Sequence, residues 1–289
     1  MSKRQERVAL VTGASSGIGK AAAAALSAEG FRVFGTSRRA ISNSASGLPD
    51  AAGPSDVAKL AGVEMIRVDV TDDSSVDTAI EEIIRRTGRI DVLVNNAGIG
   101  IAGGAEESSI AQAQMLFDTN LFGVIRLIRA VLPHMRERKS GRIINVSSVL
   151  GFLPAPYMAI YAASKHALEG YSESLDHELR TSGIRVLLVE PAYTRTSFDQ
   201  NMIGPDAQLR EYDNARRHMA TLVVEAMAKA DAPEVVGKVI ARAATDIRTR
   251  MRYPAGPMAR KLSFLRRFAP GSLVDSSLRK QMKLDTRTM

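Results

Sequence analysis

Short apolar runs rich in β-branched residues recur along this 289-residue chain, with longer helical patterns between them. Val8–Thr12, Phe31–Ser37, Met65–Val70, Val92–Asn95, Arg142–Ser147 and Arg185–Glu190 read as six strands. Helical periodicity covers Gly17–Glu29, stopped by Gly30, and stretches near 73–87, 108–138, 157–181 and 232–246. Such alternation leaves few architectures open. Parallel neighbours need a crossover, helices supply it, and both sheet faces end up covered. The expected fold is α/β, a single doubly wound parallel sheet over residues 6–254, followed by a helical extension at 255–289. Two segments break the rhythm. Residues 40–62 are rich in small residues, Gly and Pro, which argues against a full helix. Residues 198–231 follow the sixth strand, at a carboxyl end where doubly wound sheets bind ligands, and read as a substrate lid.

Composition narrows the function classes. Hydrophobic residues make up 45% and charged residues 24%, as in ordinary globular proteins. Cysteine is absent, so disulfides and thiolate metal sites are out of reach. His134, His166, His177 and His218 show no ligand spacing, and no metal is expected. The net charge of +8 sits in one place: residues 242–289 hold twelve Lys/Arg against three Asp/Glu, leaving 27 basic against 28 acidic residues before them. A basic body would suggest nucleic acid; a basic tail does not, and no nucleic-acid partner is expected. The basic start M-S-K-R-Q-E-R precedes an apolar stretch, Val8–Val11, too short for a signal-peptide core, and a cytoplasmic location is expected.

Between the first strand and first helix lies Thr12-Gly13-Ala14-Ser15-Ser16-Gly17-Ile18-Gly19. Glycines let the backbone turn tightly and approach a pyrophosphate, while a helix N-terminus offers N–H donors and positive dipole. The spacing is G-x-x-x-G-x-G. Farther on, Tyr161 and Lys165 stand four apart, one helical turn from each other, with Ser148 thirteen residues ahead of Tyr161. A cation beside a tyrosine favours the phenolate over the phenol, which suits general acid or base work near neutral pH.

Together with Asn95-Asn96-Ala97-Gly98 and Asn120, these motifs stand in the order and spacing of the short-chain dehydrogenase/reductase family, which the chain resembles from about residue 6 to 196. The resemblance implies a Rossmann-type domain and an oxidoreductase with Asn120, Ser148, Tyr161 and Lys165 as its catalytic set. Tyr161 would exchange a proton with the substrate oxygen and also contact the cofactor, Lys165 would lower its pKa and bond the nicotinamide ribose, and Ser148 would polarise the carbonyl. Asn120 would help hold a water that links the lysine to solvent. The cofactor would lie along Gly13, Ser15, Ser16, Gly17, Ile18 and Gly19, then Asp69 and Val70 at the adenine. Asn96, Ala97 and Gly98 would wall the ribose, and Pro191, Thr194 and Thr196 would face the carboxamide.

An acidic residue at the end of the second strand would bind the 2′-hydroxyl of NAD. Here Ser37-Arg38-Arg39 stands instead, and paired guanidinium donors suit a 2′-phosphate, so NADP(H) is the expected cofactor, with Arg38 as the chief contact. One departure concerns the loop after the sixth strand. The family commonly has Pro-Gly where this chain has Pro191-Ala192, so easy access to positive φ is lost there.

The run Gly151–Tyr157, with Phe198 and Met202, offers apolar lining for a lipophilic alcohol or ketone, a steroid-, retinoid- or ketone-like molecule. The chain looks like the branch containing 17β-hydroxysteroid and retinol dehydrogenases. In the tail, Met258, Leu262, Leu265 and Phe268 recur at helical spacing among Arg260, Lys261, Arg266 and Arg267, and Leu273–Leu284 reads as a second short helix. Such a stretch is expected to pack on its own domain or across a dimer, ahead of lying on a membrane surface. A homodimer through the helices at 108–138 and 157–181 is expected. Two other readings of the same fold stay open: a nucleotide-binding regulator without turnover, and a membrane-associated interaction protein.

Overall fold

The computed structural model describes residues 6–38, 62–198, 202–282 and 284. Seven parallel strands form one sheet: β1 (Arg7–Val11), β2 (Phe31–Ser37), β3 (Val63–Arg67), β4 (Val92–Asn95), β5 (Gly141–Val146), β6 (Ile184–Pro191) and β7 (Arg252–Ala255), in the order β3-β2-β1-β4-β5-β6-β7. Helices α1 (Gly17–Ala28), α2 (Asp73–Thr87), α3 (Ile110–Phe117), α4 (Gly123–Glu137), α5 (Ala159–Leu179), α6 (Asp213–Ala228), α7 (Pro233–Thr245), α8 (Pro257–Phe268) and α9 (Gly271–Gln281) surround it. The doubly wound expectation holds. Strand order reverses between β1 and β4, which opens a crevice at the carboxyl ends of both.

Period-two alternation along each strand builds two cores. Val8 and Leu10 of β1 point to one side, among Ile80 and Ile83 of α2 and Leu127, Ile128 and Val131 of α4. Ala9 and Val11 point to the other, among Ala22, Ala23 and Leu26 of α1 and Val236 and Ile240 of α7. Each fully buried aliphatic side chain contributes about 1.5–3 kcal/mol relative to exposure, so these layers hold the carboxyl-end crevice rigidly in place.

Several elements differ from the sequence reading. The sheet has seven strands where six were expected. β7 is only four residues, R-Y-P-A, with a proline and no β-branched residue, so strand propensity does not announce it. It runs one residue past 254. β3 begins two residues earlier and ends three earlier than Met65–Val70, although the Val68 N–H still donates to the Ser37 carbonyl at 3.0 Å. The stretch 108–138 is not one helix: a π-type turn, Asp118–Phe122, separates α3 from α4. The tail forms two helices. The reading of 40–62 lies outside the described residues, apart from Gly62, a turn residue at φ 81°.

Candidate active site

The loop between β1 and α1 is built around glycine. Gly13 and Gly17 take left-handed conformations, φ 65° and 52°. A Cβ at Gly19 would sit 2.2 Å from the Gly13 carbonyl oxygen, so no other residue fits this turn. Ser16 is the N-cap of α1 but makes no side-chain capping bond, and no acidic residue occupies the first turn. The first amides of a twelve-residue helix are therefore left for an anion. That geometry fits a dinucleotide pyrophosphate. Ser15, Ser16 and Ile18 lie on this turn, and Thr196 closes it from β6's side, with its Cβ 3.0 Å from where a Gly17 side chain would begin.

Thr12 braces the loop from below. Its hydroxyl accepts from the Asn96 and Ala97 N–H groups at 2.9 and 3.0 Å, and Asn96 Nδ2 donates back to the Thr12 carbonyl at 2.9 Å. Asn96 thus ties β4 to the phosphate loop, and Ala97 and Gly98 continue along the crevice. At the ends of β2 and β3, Ser37 is buried and Arg38 exposed. Asp69 accepts from the Thr71 N–H and hydroxyl at 3.0 and 2.7 Å. Those bonds hold its carboxyl below the usual range against the effect of burial, with a further contribution from the nearby Arg38 charge. Val70 is buried beside it. Arg39 lies outside the described residues.

One strand end, one π-type turn and one helix supply the expected catalytic residues. Ser148 follows β5 and caps a short 3₁₀ turn, its Oγ accepting from the Leu150 N–H at 3.1 Å. Tyr161 and Lys165 lie in α5, both buried, with the Lys165 ammonium 5.8 Å from the Tyr161 ring centre. Lys165 Nζ donates to the Val146 carbonyl at 2.9 Å. Burial pulls its pKa down to about 8, opposed by the charge of Glu169. Asn120 sits inside the π-type turn. There its Oδ1 accepts from the Ile99 N–H at 2.9 Å, and its Nδ2 donates to the Ile99 carbonyl at 2.9 Å and to Ser164 Oγ at 3.2 Å. The extra residue of a π turn is what aims this amide inward. Asn120 therefore clamps the chain after Gly98 to the helix that carries Tyr161.

An apolar shell lies over the tyrosine. Phe198 is 6.0 Å from its ring, and Leu116, Met158, Met202 and Met219 share the cluster. Met219 belongs to α6, which has no fully buried residue and is held by polar ties. Glu107, wholly buried, accepts from Arg216 of α6 and from the Leu209 N–H at 2.9 Å. Asp206 Oδ1 accepts from the Ser109 N–H at 2.7 Å. Tyr157 stands at φ 63° and meets Tyr212 edge-on at 6.3 Å. A left-handed tyrosine is strained, and such strain gathers at functional loops. Pro191, the last residue of β6, and Thr194 beyond it are buried, and Ala192 is not among the positive-φ residues. The loop needs no left-handed residue there, which removes the conformational demand on the missing glycine.

Sequence reasoning passed over the polar layer beneath this site. Ser147 Oγ donates to Glu169 at 2.7 Å, and Arg252 of β7 bridges Glu169, Glu173 and Glu190. Glu190 is fully buried and its Oε2 has no hydrogen-bond partner among the described residues. Burial and the neighbouring Glu169 charge push it up to about 7, although Arg252 opposes them. Glu169, four residues after Lys165 on the same helix face, carried a readable signal. Arg252, in an unannounced strand, carried none.

With this geometry in hand, similarity to known proteins is informative. A 3-ketodihydrosphingosine reductase from Bacteroides thetaiotaomicron is 44% identical over 197 residues, 68% of this chain and 67% of its own. A solved short-chain dehydrogenase from Streptomyces avermitilis shares 33% identity and a TM-score of 0.79 over 98% of each chain. A metagenomic short-chain oxidoreductase solved in complex with NADP shares 30% identity and a TM-score of 0.64, over 85% of this chain and 95% of its own. Residues 7–205 match the family model described as short chain dehydrogenase, so this nucleotide-binding crevice and its tyrosine–lysine helix make the chain a member of the short-chain dehydrogenase/reductase family, whose chemistry is hydride transfer at a carbonyl or alcohol.

Proposed function

We propose that this protein transfers hydride between NADP(H) and a lipophilic ketone or alcohol, with Tyr161 as the proton-transfer residue. The observation that carries this reading is the buried Tyr161–Lys165 pair on α5, with Lys165 bonded to the Val146 carbonyl two residues before Ser148. The bound nicotinamide would supply or accept the hydride. In the reductive direction Tyr161 Oη gives its proton to the substrate oxygen while the Ser148 hydroxyl donates to the same atom. Lys165 stays largely cationic at neutral pH and favours the phenolate that Tyr161 becomes. Asn120 keeps the Ile99 backbone and α5 in register around them. The full residue set supports turnover over a purely regulatory role.

Preference for NADP(H) rests on Arg38, which follows a strand end without a carboxylate. The metagenomic oxidoreductase, solved with NADP, agrees with it. Arg38→Ala is expected to weaken NADPH binding by one to two orders of magnitude, following the ~1.5–3 kcal/mol of a charge-assisted hydrogen bond. NADH binding should change little. Equal losses in calorimetric titrations of both cofactors would reject the 2′-phosphate contact. The lipophilic substrate rests on the Phe198, Met158, Met202 and Met219 shell, and the 3-ketodihydrosphingosine reductase name of the Bacteroides relative points the same way. A screen of NADPH oxidation across long-chain ketones, steroids, retinoids and small polar aldehydes tests it; turnover confined to the polar aldehydes would overturn it.

The proposed assembly is a homodimer through α3–α4 and α5, in a cytoplasmic protein. Ile110, Met115 and Phe122 on the α3–α4 face are 75, 43 and 49% exposed, an apolar face that a second copy would cover. Light scattering at micromolar concentration should give twice the chain mass; a monomer mass rejects this interface, and cell fractionation checks the compartment.

A further inference from the structure

Helix α8 is turned the wrong way for a helix that only packs on its own domain. Its inward side presents Ala259, Leu262, Ser263 and Arg266, of which only Ala259 is buried. Its outward side presents Phe264 and Phe268, 63 and 64% exposed, stacked on each other at 4.8 Å. A helix with a partner only on its inner side buries its large apolar residues there. Here the large ones face out: of the stripe Met258, Leu262, Leu265 and Phe268, expected to pack on the domain or across a dimer, only Leu262 is partly covered by the domain. Met258, Leu265 and Phe268, at 52, 39 and 64% exposure, stay in solvent.

Cations frame the two phenylalanines. Arg260, Lys261 and Arg267 lie three or four residues from Phe264, on its own face. All three are exposed and in no ion pair among the described residues. Arg267 also lies over the Phe268 ring at 5.6 Å. Across α8 and α9 there are six Lys/Arg and one Asp, and Leu273 at the start of α9 is 63% exposed. A second copy docked on this face by two-fold symmetry would set the cations against themselves. An anionic bilayer surface satisfies both features, with aromatic rings at the headgroup boundary and basic side chains on lipid phosphates.

We infer that α8 and the start of α9 form a docking surface for an anionic lipid bilayer, with Phe264 and Phe268 as its inserted apex. No helix among the described residues is long and apolar enough to cross a membrane, so the contact is peripheral. Its position gives it a use. Arg266 Nε donates to the Phe152 carbonyl at 3.0 Å, which fixes α8 against the loop beside Ser148. His218 of the lid helix lies 3.3 Å from the Gln281 carbonyl at the end of α9. Docking would thus set the lid and the mouth of the apolar cleft at the bilayer, a route for a membrane-dissolved substrate. That use rests on the lipophilic-substrate reading; the docking does not.

Co-sedimentation of the full chain with phosphatidylcholine vesicles and with phosphatidylcholine–phosphatidylserine vesicles tests the inference. The protein should pellet with the anionic vesicles. Phe264→Ser with Phe268→Ser should reduce partitioning by roughly tenfold per ring, about half the burial energy of a phenylalanine. Arg260→Ser, Lys261→Ser and Arg267→Ser should each cost about fivefold, and only on the anionic vesicles. Unchanged thermal unfolding of these surface variants confirms their fold. Equal partitioning of wild type and the double phenylalanine variant overturns the inference. So does a self-association that the variant abolishes while neither protein binds vesicles. NADPH oxidation by a protein that ignores vesicles would reject the docking and leave the hydride-transfer reading intact.

Discussion

Tyr161→Phe is expected to lower kcat for NADPH-dependent carbonyl reduction by about two to four orders of magnitude, the usual share of a positioned general acid. The ring that Phe198 and Met158 pack around is retained, so the site keeps its shape. Only the phenolic oxygen leaves. NADPH should still bind with unchanged affinity, because the substitution leaves the glycine loop and the uncapped start of α1 untouched. Stopped-flow measurement of hydride transfer, with cofactor fluorescence as the binding check, separates the two. Wild-type turnover in the variant would assign the proton to another group, and lost NADPH binding would show that the substitution damaged the crevice. A pH profile adds a second reading. Lys165 sheds its proton near pH 8 because burial disfavours the charge. Activity that needs the cation should therefore fall above about that pH. Glu169→Gln, which removes the one charge that supports Lys165, should move that limb towards acid.

The largest effect on stability is expected at Arg252. One guanidinium there faces three carboxylates, Glu169, Glu173 and Glu190, and two of those are buried. Burial disfavours the arginine's charge, but the hydrogen bond and charge of Glu169, with Glu190 behind them, hold it protonated. Arg252→Met strands Glu169 and Glu190 together in the interior, and breaking a buried pair from one side costs about 3–5 kcal/mol. The variant should unfold roughly 10 °C lower in a melt near neutral pH, at about 2–4 °C per kcal/mol. A melt within a degree or two of wild type would mean that the carboxylates do not depend on Arg252.

The same cluster predicts the sign of a pH effect. Glu190 ionises near its ordinary 4.5 in the unfolded chain but near 7 in the fold. Between those values the folded state holds the extra proton. Its contribution to stability is therefore complete below about 4.5 and is lost as pH rises through about 7. Glu190→Gln removes that dependence. The wild type should lose more stability between about pH 5 and pH 8 than the variant does, as read by denaturant midpoints. Arg252→Met should recover part of its loss in acid for the same reason. Identical pH slopes for wild type and Glu190→Gln would place the raised pKa elsewhere.

Much of this was legible in the chain itself, because the determinants are local. Strand–helix alternation depends on residues a few positions apart, and so does the glycine loop, whose Gly13, Gly17 and Gly19 serve one turn. Tyr161 and Lys165 share a helix face by spacing alone. Other features depend on residues that only folding brings together. β7 became a strand because β6 offered a free edge, with Leu188 to Pro191 pairing Arg252 to Ala255, and not through its own composition. The π-type turn at Asn120 answers to Ile99 and Ser164, 21 and 44 residues away.

The direction of α8 is the clearest case. Its apolar and basic residues were plain in the sequence, yet spacing alone could not say which face met the domain. The structure turns Ala259 and Ser263 inward and leaves Phe264 and Phe268 outside. Arg252 makes the same point in the interior. As one letter among a basic tail's charges it meant nothing, and 83 residues from Glu169 it carries the layer beneath Ser147 and Lys165. The sequence by itself determined the first six strands of the sheet, the nucleotide loop and the tyrosine–lysine pair, because short-range periodicity and backbone freedom encode them. Tertiary structure decided what supports that pair from below and which face the tail shows to its surroundings, because charge pairing and burial are set by distance in space.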